Sequence, residues 1–275
     1  MTDERVPPGV DPSVPSPARM YDYYLGGTHN YQSDRDAAER IRAVMGDDLK
    51  DAAWANRGFH GRAAVWMARQ GIGQFIDIGS GLPTANNTHL AVQKVLPEAR
   101  VVYADNDPAV VAHAAELLAD NPTATLIHAD VRDPDELLGN ESLRALIDFT
   151  EPAGLLMSWI MHFVSDNSDP WRLVRRYLDA LAPGSYLALS HVTADNVPPR
   201  TVQAGVEEYS RATENVYLRS KADVARFFDG LEIVPPYEGA RPGLTYIGLW
   251  GCEDPELADT DGSRYSYCAV ARRPL

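Results

Sequence analysis

The chain has 275 residues, 45% of them hydrophobic and 23% charged, with a formal net charge of −14 at pH 7. This is globular composition, enough for one large domain, and no run approaches the ~18 apolar residues of a membrane-spanning helix. The surplus of carboxylates repels a phosphate backbone, so nucleic acid is not expected as a partner and a small molecule is.

Five prolines between Pro7 and Pro17 make residues 1–17 a disordered or extended arm. The arm lacks the apolar core of a signal peptide, which predicts a cytoplasmic protein. Cys252 and Cys268 fit that compartment as free thiols, although a hairpin could bring them face to face. Residues 18–72 read as an N-terminal helical cap. Ala37, Ala38, Ile41, Val44 and Met45 recur at helical spacing from Ser33 onward. A second helix runs through Ala52, Ala55, Phe59, Ala63, Trp66 and Met67 until Gly71-Ile72-Gly73 stops it.

From residue 73 to 275 strands and helices alternate. Apolar runs at 74–78, 99–105, 124–130, 154–159 and 185–192 are separated by helical patterns at 87–96, 108–118, 134–148 and 169–182. Such alternation predicts a Rossmann-like, mostly parallel sheet of seven strands with helices on both faces. After a helix at 220–229 and the short run EIVPP, the segments 244–252 and 265–273 lack an intervening helix. They are expected to pair antiparallel at one edge. Residues 194–217, inserted after the fifth strand, are the expected substrate cover.

Ligands of open α/β sheets lie beyond the carboxyl ends of the strands. Here those ends read IDIGSG, YADND, IHADV and MSWIMHF, and three carry an acid: Asp77, Asp105 and Asp130. A dinucleotide fits poorly. The last glycine of its fingerprint is missing from GSGLPT, Pro83 intrudes, and Asp77 would repel a pyrophosphate that the helix start would otherwise favour. S-adenosylmethionine, with an ammonium, a sulfonium and no phosphate, removes the conflict. Asp77 could favour its ammonium directly or through water, while a buried acid fixing the loop is the competing role. Gly79 and Gly81 admit close backbone approach. Asp105 can accept from the ribose hydroxyls and Asp130 from the adenine amine, while the Val131 N–H can donate to a ring nitrogen.

The runs DIGSG, YADNDP, HADVRDP, LLMSWIMHFV and LAPGSYLALSHV are similar to those of class I S-adenosylmethionine-dependent methyltransferases. The segment ARMYDYYLGGTHNYQSDRDAAERI and the loop GSGLPTANNTH resemble a bacterial branch, the S-adenosyl methyltransferases once classed as a domain of unknown function. The resemblance implies that Gly79, Ser80 and Gly81 form the methionine-side loop and that Asp105 takes the ribose. It further implies Asn106 against the adenine, Asp130 with Val131 at its edge, and Ser158 and Trp159 at the methyl-donor end. Pro83 departs from the wider superfamily's glycine but matches the branch.

His162 is the candidate general base; a structural role tying down its loop competes. Tyr21, one of four tyrosines around Gly26-Gly27, suits a lid over the cofactor or simple packing of the arm. Arg57 or Asn56 could reach the cofactor's carboxylate. The seven histidines show no helical pairing and no cysteine companions, so no metal is expected. The reading is methyl transfer to an unidentified small-molecule acceptor. The alternatives are a nicotinamide-dependent oxidoreductase on the same sheet and a non-catalytic regulatory protein that binds S-adenosylmethionine.

Overall fold

The computed structural model describes residues 6–83 and 87–275; the first five residues of the arm and positions 84–86 of the glycine loop lie outside them. Ser16 opens the first helix, α1 (Pro17–Tyr24), where its hydroxyl accepts from the Arg19 N–H and Pro17 occupies a position that needs no donor. Helix α2 (Gln32–Met45) follows, with the Asp34 carboxylate accepting from the Tyr31 N–H at its start. The long α3 (Asp48–Arg69) completes the cap. Met20, Tyr24, Ala37, Ala38, Ile41 and Ala53 form a small apolar core of its own.

The α/β part starts at β1 (Gln74–Ile78), whose five residues are all buried, as a strand covered on both faces must be. Helix α4 (Thr88–Val92) is shorter than the 87–96 pattern suggests, because turns at Val95 and Leu96 lead into Pro97, which cannot continue a helix. Then come β2 (Arg100–Asp105), α5 (Pro108–Leu118) and β3 (Ala124–His128). The expected helix at 134–148 is two, α6 (Pro134–Gly139) and α7 (Glu141–Leu146). Asn140 separates them by accepting the Ser142 and Leu143 N–H groups, an N-cap in the middle of the pattern. Next are β4 (Gly154–Ser158), α8 (Pro170–Ala180), β5 (Tyr186–Val192), α9 (Pro199–Ala212) and α10 (Lys221–Ala225). The chain finishes with β6 (Glu232–Ile233), β7 (Thr245–Tyr246), α11 (Pro255–Ala258) and β8 (Ser266–Arg272).

The sheet order is β3-β2-β1-β4-β5-β8-β6, with β7 also paired to β8. Five strands are parallel, and β8 runs antiparallel to β5, β6 and β7. Strand order reverses between β1 and β4, so the crevice for a ligand opens over their tips. The mostly parallel sheet with an antiparallel C-terminal pair agrees with the sequence expectation in class, and differs in three details. First, it has eight strands and not seven, because the short run EIVPP supplies β6. Second, β8 is not at an edge: it lies between β5 and β6. Third, the expected strand at 244–252 stops after Tyr246. The chain turns there because buried Trp250 packs edge-on against Phe59 and Trp66. Arg62 donates to the carbonyls of Ile247, Gly248 and Trp250, replacing the ladder partners those groups would have had.

Two apolar layers sandwich the sheet, one around Leu155, Leu187 and Tyr177 and one around Phe59, Met67 and Val101. Cys252 and Cys268 are both free thiols. Among the described residues no helix is long and apolar enough to cross a membrane.

Candidate active site

A cavity of about 530 Å³ opens over the tips of β1 to β4 and runs under the cap. That is the size range of small-molecule sites. Its walls include Gly79, Ser80, Gly81, Asp105, Asn106, Asp130, Val131, Ser158, Trp159, His162, Tyr21 and Arg57. With Asn56, which also lines it, thirteen of the fourteen residues singled out from the sequence share one space; Asp77 does not.

Asp77 stands one layer behind the wall, 2% exposed. Its carboxylate accepts from the Thr88 hydroxyl at 2.6 Å and lies 3.3 Å from His60 Nε2. Burial would raise this carboxyl, but the His60 ring and the Thr88 hydroxyl hold it below the ordinary carboxylate value. A small void of about 20 Å³ is lined by Asp77, Arg57, Ser80, Gly81 and Thr88, among others. It has room for about one water, which is compatible with a water-mediated contact from Asp77.

Asp77 also ends a hydrogen-bonded chain. His60 Nε2 lies 2.8 Å from Thr88 Oγ1, and His60 Nδ1 lies 3.0 Å from Ser158 Oγ. Thr88 spends its hydroxyl proton on Asp77, so Nε2–H must be the donor to Thr88 Oγ1. In a neutral ring Nδ1 then accepts the Ser158 proton, and in a protonated ring Nδ1–H donates to Ser158 Oγ.

The glycine loop is shaped by two positive backbone angles, φ +70° at Gly79 and +67° at Gly81. A Cβ on Gly79 would come within 3.0 Å of the Ile160 side chain, whereas one on Gly81 would meet nothing within 4 Å and would fill cradle space. Ser80 Oγ is buried without a hydrogen-bond partner among the described residues. A cradle open to a ligand and an orphaned hydroxyl beside it fit the methionine end of the cofactor.

Asp105 is 8% exposed. Its two oxygens accept from the Gly81 N–H at 2.8 Å and the Asp107 N–H at 3.0 Å. Burial pushes its carboxyl up to about 6, against the pull of those N–H groups. Asp130 is half-exposed and forked by the Arg132 guanidinium, whose Nη2 lies 2.6 Å away, and it also accepts from Asn106 Nδ2 at 3.4 Å. The Val131 carbonyl accepts from the Tyr177 hydroxyl, which fixes the exit of β3.

Trp159 holds φ at +53°, a strained value for a bulky residue. Its N–H donates to the carbonyl and hydroxyl of Ser190, and its indole N–H donates to Ser266 Oγ at 2.8 Å. Its ring meets Tyr21 at 5.7 Å. The Tyr21 hydroxyl donates to the Ala53 carbonyl and accepts from Asn56 Nδ2, so this residue offers the cavity its ring. His162 sits in a single 3-10 turn after β4, buried, with Nδ1 unpartnered among the described residues. Burial, with the nearby His191 and Arg219, keeps its pKa well below that of a free imidazole.

Sequence reasoning missed His60 and Thr88. The available signal was the pair Asn56 and His60, four apart on the buried stripe of α3 that otherwise reads Ala52, Phe59, Ala63 and Met67. Also missed were the cap residues Ile41, Met45 and Leu49, which close the far end of the cavity beside Tyr24, one of the four tyrosines read as a lid. Among the described residues no cluster of histidine, cysteine or acidic side chains could hold a metal.

An open sheet of this order, a glycine loop at the switch point and an acid at the second strand tip define a class I S-adenosylmethionine-dependent methyltransferase. The comparisons give the family: residues 3–274 match the model of the S-adenosyl methyltransferases, and the chain belongs to that family. Its cofactor is S-adenosylmethionine. A crystal structure of a methyltransferase candidate from Thermobifida fusca is 36% identical, covers 98% of both chains and superposes with a TM-score of 0.88. A DUF574 family protein from Streptomyces avermitilis is 38% identical over 96% of this chain and 99% of its own, also with a TM-score of 0.88. A shorter match, 37% identical over 57 residues, joins 21% of the chain to 18% of the ribosomal RNA small subunit methyltransferase H of Halorhodospira halophila. The chain thus aligns with less than a fifth of that relative.

Proposed function

We propose that the protein transfers the methyl group of S-adenosylmethionine to a small molecule held under the cap. One observation carries this reading: a single cavity joins the glycine loop and Asp105 at one end to Tyr24, Ile41 and Leu49 of the cap at the other. When bound, the cofactor supplies an electrophilic methyl on a sulfonium. In this reading Gly79, Ser80 and Gly81 cradle its amino-acid end, Asp105 holds the ribose, and Asn106, Asp130 and Val131 flank the base. Arg57 serves its carboxylate, and Asp77 acts on its ammonium through water. Ser158, hydrogen-bonded to His60, lies at the methyl-donor end. Trp159 and Tyr21 wall off the reacting space from water.

Displacement on carbon needs mainly alignment and exclusion of water, and positioning of this kind supplies much of the acceleration. His162 remains neutral at physiological pH and is a weak base. It suffices for the last proton: once an acceptor hydroxyl has been alkylated its proton is strongly acidic, and it can pass to the ring or to water.

Incubating the protein with methyl-labelled S-adenosylmethionine and a fractionated cell extract tests the acceptor class. Label is expected in the low-molecular-weight fraction. Label confined to protein or RNA would contradict the proposal, and tight cofactor binding with no label anywhere would favour a regulatory protein. Adenosylhomocysteine should also raise the melting temperature where NAD and NADP do not.

A further inference from the structure

Most charged residues of the cavity wall gather at its cofactor end. Asp105 is there, with Asp107 beside Arg19, and Asp130 forked by Arg132, while Glu214 acts on both Arg132 and Tyr209. The opposite end is lined by Tyr24, Ile41, Met45, Leu49, Val206 and Tyr209. Two tyrosines there present rings and not hydroxyls: Tyr24 donates to the Ala38 carbonyl at 3.0 Å, and Tyr265 to the Met45 carbonyl at 2.8 Å. Phe163 pairs with Tyr209 at 6.0 Å and with His162 at 4.1 Å, extending an aromatic wall toward the strand tips.

Two buried polar atoms on these walls have no partner among the described residues, His162 Nδ1 and Thr213 Oγ1. An unmet buried donor or acceptor is costly, and a ligand's polar group would relieve it. Helix α9 also carries Gly205 at its inner face, where a Cβ would strike the Met45 side chain at 2.3 Å. A glycine inside a helix is unfavourable, and here it lets α9 close on α2 while preserving space in the chamber.

We propose that the acceptor is a ring-bearing, largely apolar molecule that carries one hydroxyl or amine and no anionic group, its rings against Tyr24, Phe163 and Tyr209. Its polar group lies at the His162 end of the chamber. Glu214 is the charged residue that acts on Tyr209, so these walls offer nothing to counter a negative charge, and moving an unpaired anion into them is strongly unfavourable. Flat aromatic walls favour offset or edge contacts with a ring. This inference rests on the methyltransferase reading, because it assigns the space left beside the cofactor.

The test uses the full chain saturated with adenosylhomocysteine, and 1-naphthol as the probe in a calorimetric titration. Nicotinate and sorbitol serve as charged and hydrophilic controls. Binding of 1-naphthol but neither control is expected. Val206→Trp, which fills the chamber, should weaken 1-naphthol at least tenfold and leave adenosylhomocysteine affinity within about twofold. Should Val206→Trp not fold, Val202→Phe narrows the same space from one helical turn away on α9.

Failure of 1-naphthol to bind, equal binding by the filled variant, or nicotinate binding as tightly would overturn the inference. Adenosylhomocysteine affinity is read separately in the same experiment. Its absence would sink the methyltransferase reading, whatever the naphthol result.

Discussion

Replacing Asp105 with asparagine is expected to weaken adenosylhomocysteine by roughly 5- to 150-fold, the equivalent of about 1–3 kcal/mol for a lost pair of charge-assisted hydrogen bonds. The variant should also lose a pH dependence that the parent shows. Asp105 titrates near 6 because it is buried, and only the ionised carboxylate can accept from both ribose hydroxyls. Affinity falls with the ionised fraction, so between pH 7.5 and 5.5 the parent should lose roughly fourfold. In Asp105→Asn that slope should vanish. Calorimetry at the two pH values gives both numbers; unchanged affinity in the variant would remove Asp105 from the site.

Stability runs with its own signs over the same window. The folded pKa of Asp105 is raised, so its contribution is full below the ordinary carboxylate value and is lost as pH rises through about 6. His162 and His191 oppose it. Burial depresses both, His191 to about 3. Their contribution is full above the ordinary imidazole value of 6.5 and is lost as pH falls below it, where the unfolded chain takes up protons. Two groups outweigh one, so the ligand-free protein should become less stable on acidification. The affinity measurements therefore stop at pH 5.5.

Arg19→Met should give the largest loss of stability. Arg19 is 4% exposed and Asp34 fully buried, with Arg19 Nε 2.9 Å from the carboxylate. The Ser16 and Tyr31 N–H groups also donate to Asp34, and Arg19 additionally donates to the Val14 carbonyl. Methionine keeps the apolar length of the side chain and removes the charge, leaving a buried carboxylate with neutral donors only. Such a loss costs about 3–5 kcal/mol. For a domain of this size that corresponds to a melting temperature lower by roughly 10 °C. The double variant Arg19→Met/Asp34→Asn should recover part of it, because the uncompensated charge is gone. A shift below about 2 °C in the single variant would mean that the pair does not anchor the cap.

The sheet was legible because its strands are covered on both faces, which writes each as a short apolar run ending in a polar tip. QFIDI and RVVYAD are strands as read, and the tips place Gly79, Gly81, Asp105 and Asp130 around one cavity. The 244–252 run misled for the opposite reason. ILW-type apolar content can serve a buried turn as well as a strand, and the deciding partner, Arg62, lies far away on α3. The role of Asp77 was hidden in the same way. Its neighbours His60 and Thr88 come from separate helices, and only their packing shows that the acid is spoken for. The acceptor chamber is still less visible from sequence. It needs α2 and α9 to meet through Gly205 and Met45, an approach that neither segment announces by itself.

The central claim is an orientation: ribose on Asp105, and the sulfur between Ser158, Trp159 and Tyr21, facing the apolar chamber. A crystal structure with adenosylhomocysteine measures it directly. The account predicts both ribose hydroxyls within hydrogen-bond distance of Asp105 and the sulfur open toward His162. A ribose held away from Asp105, or a sulfur turned to solvent, would contradict it.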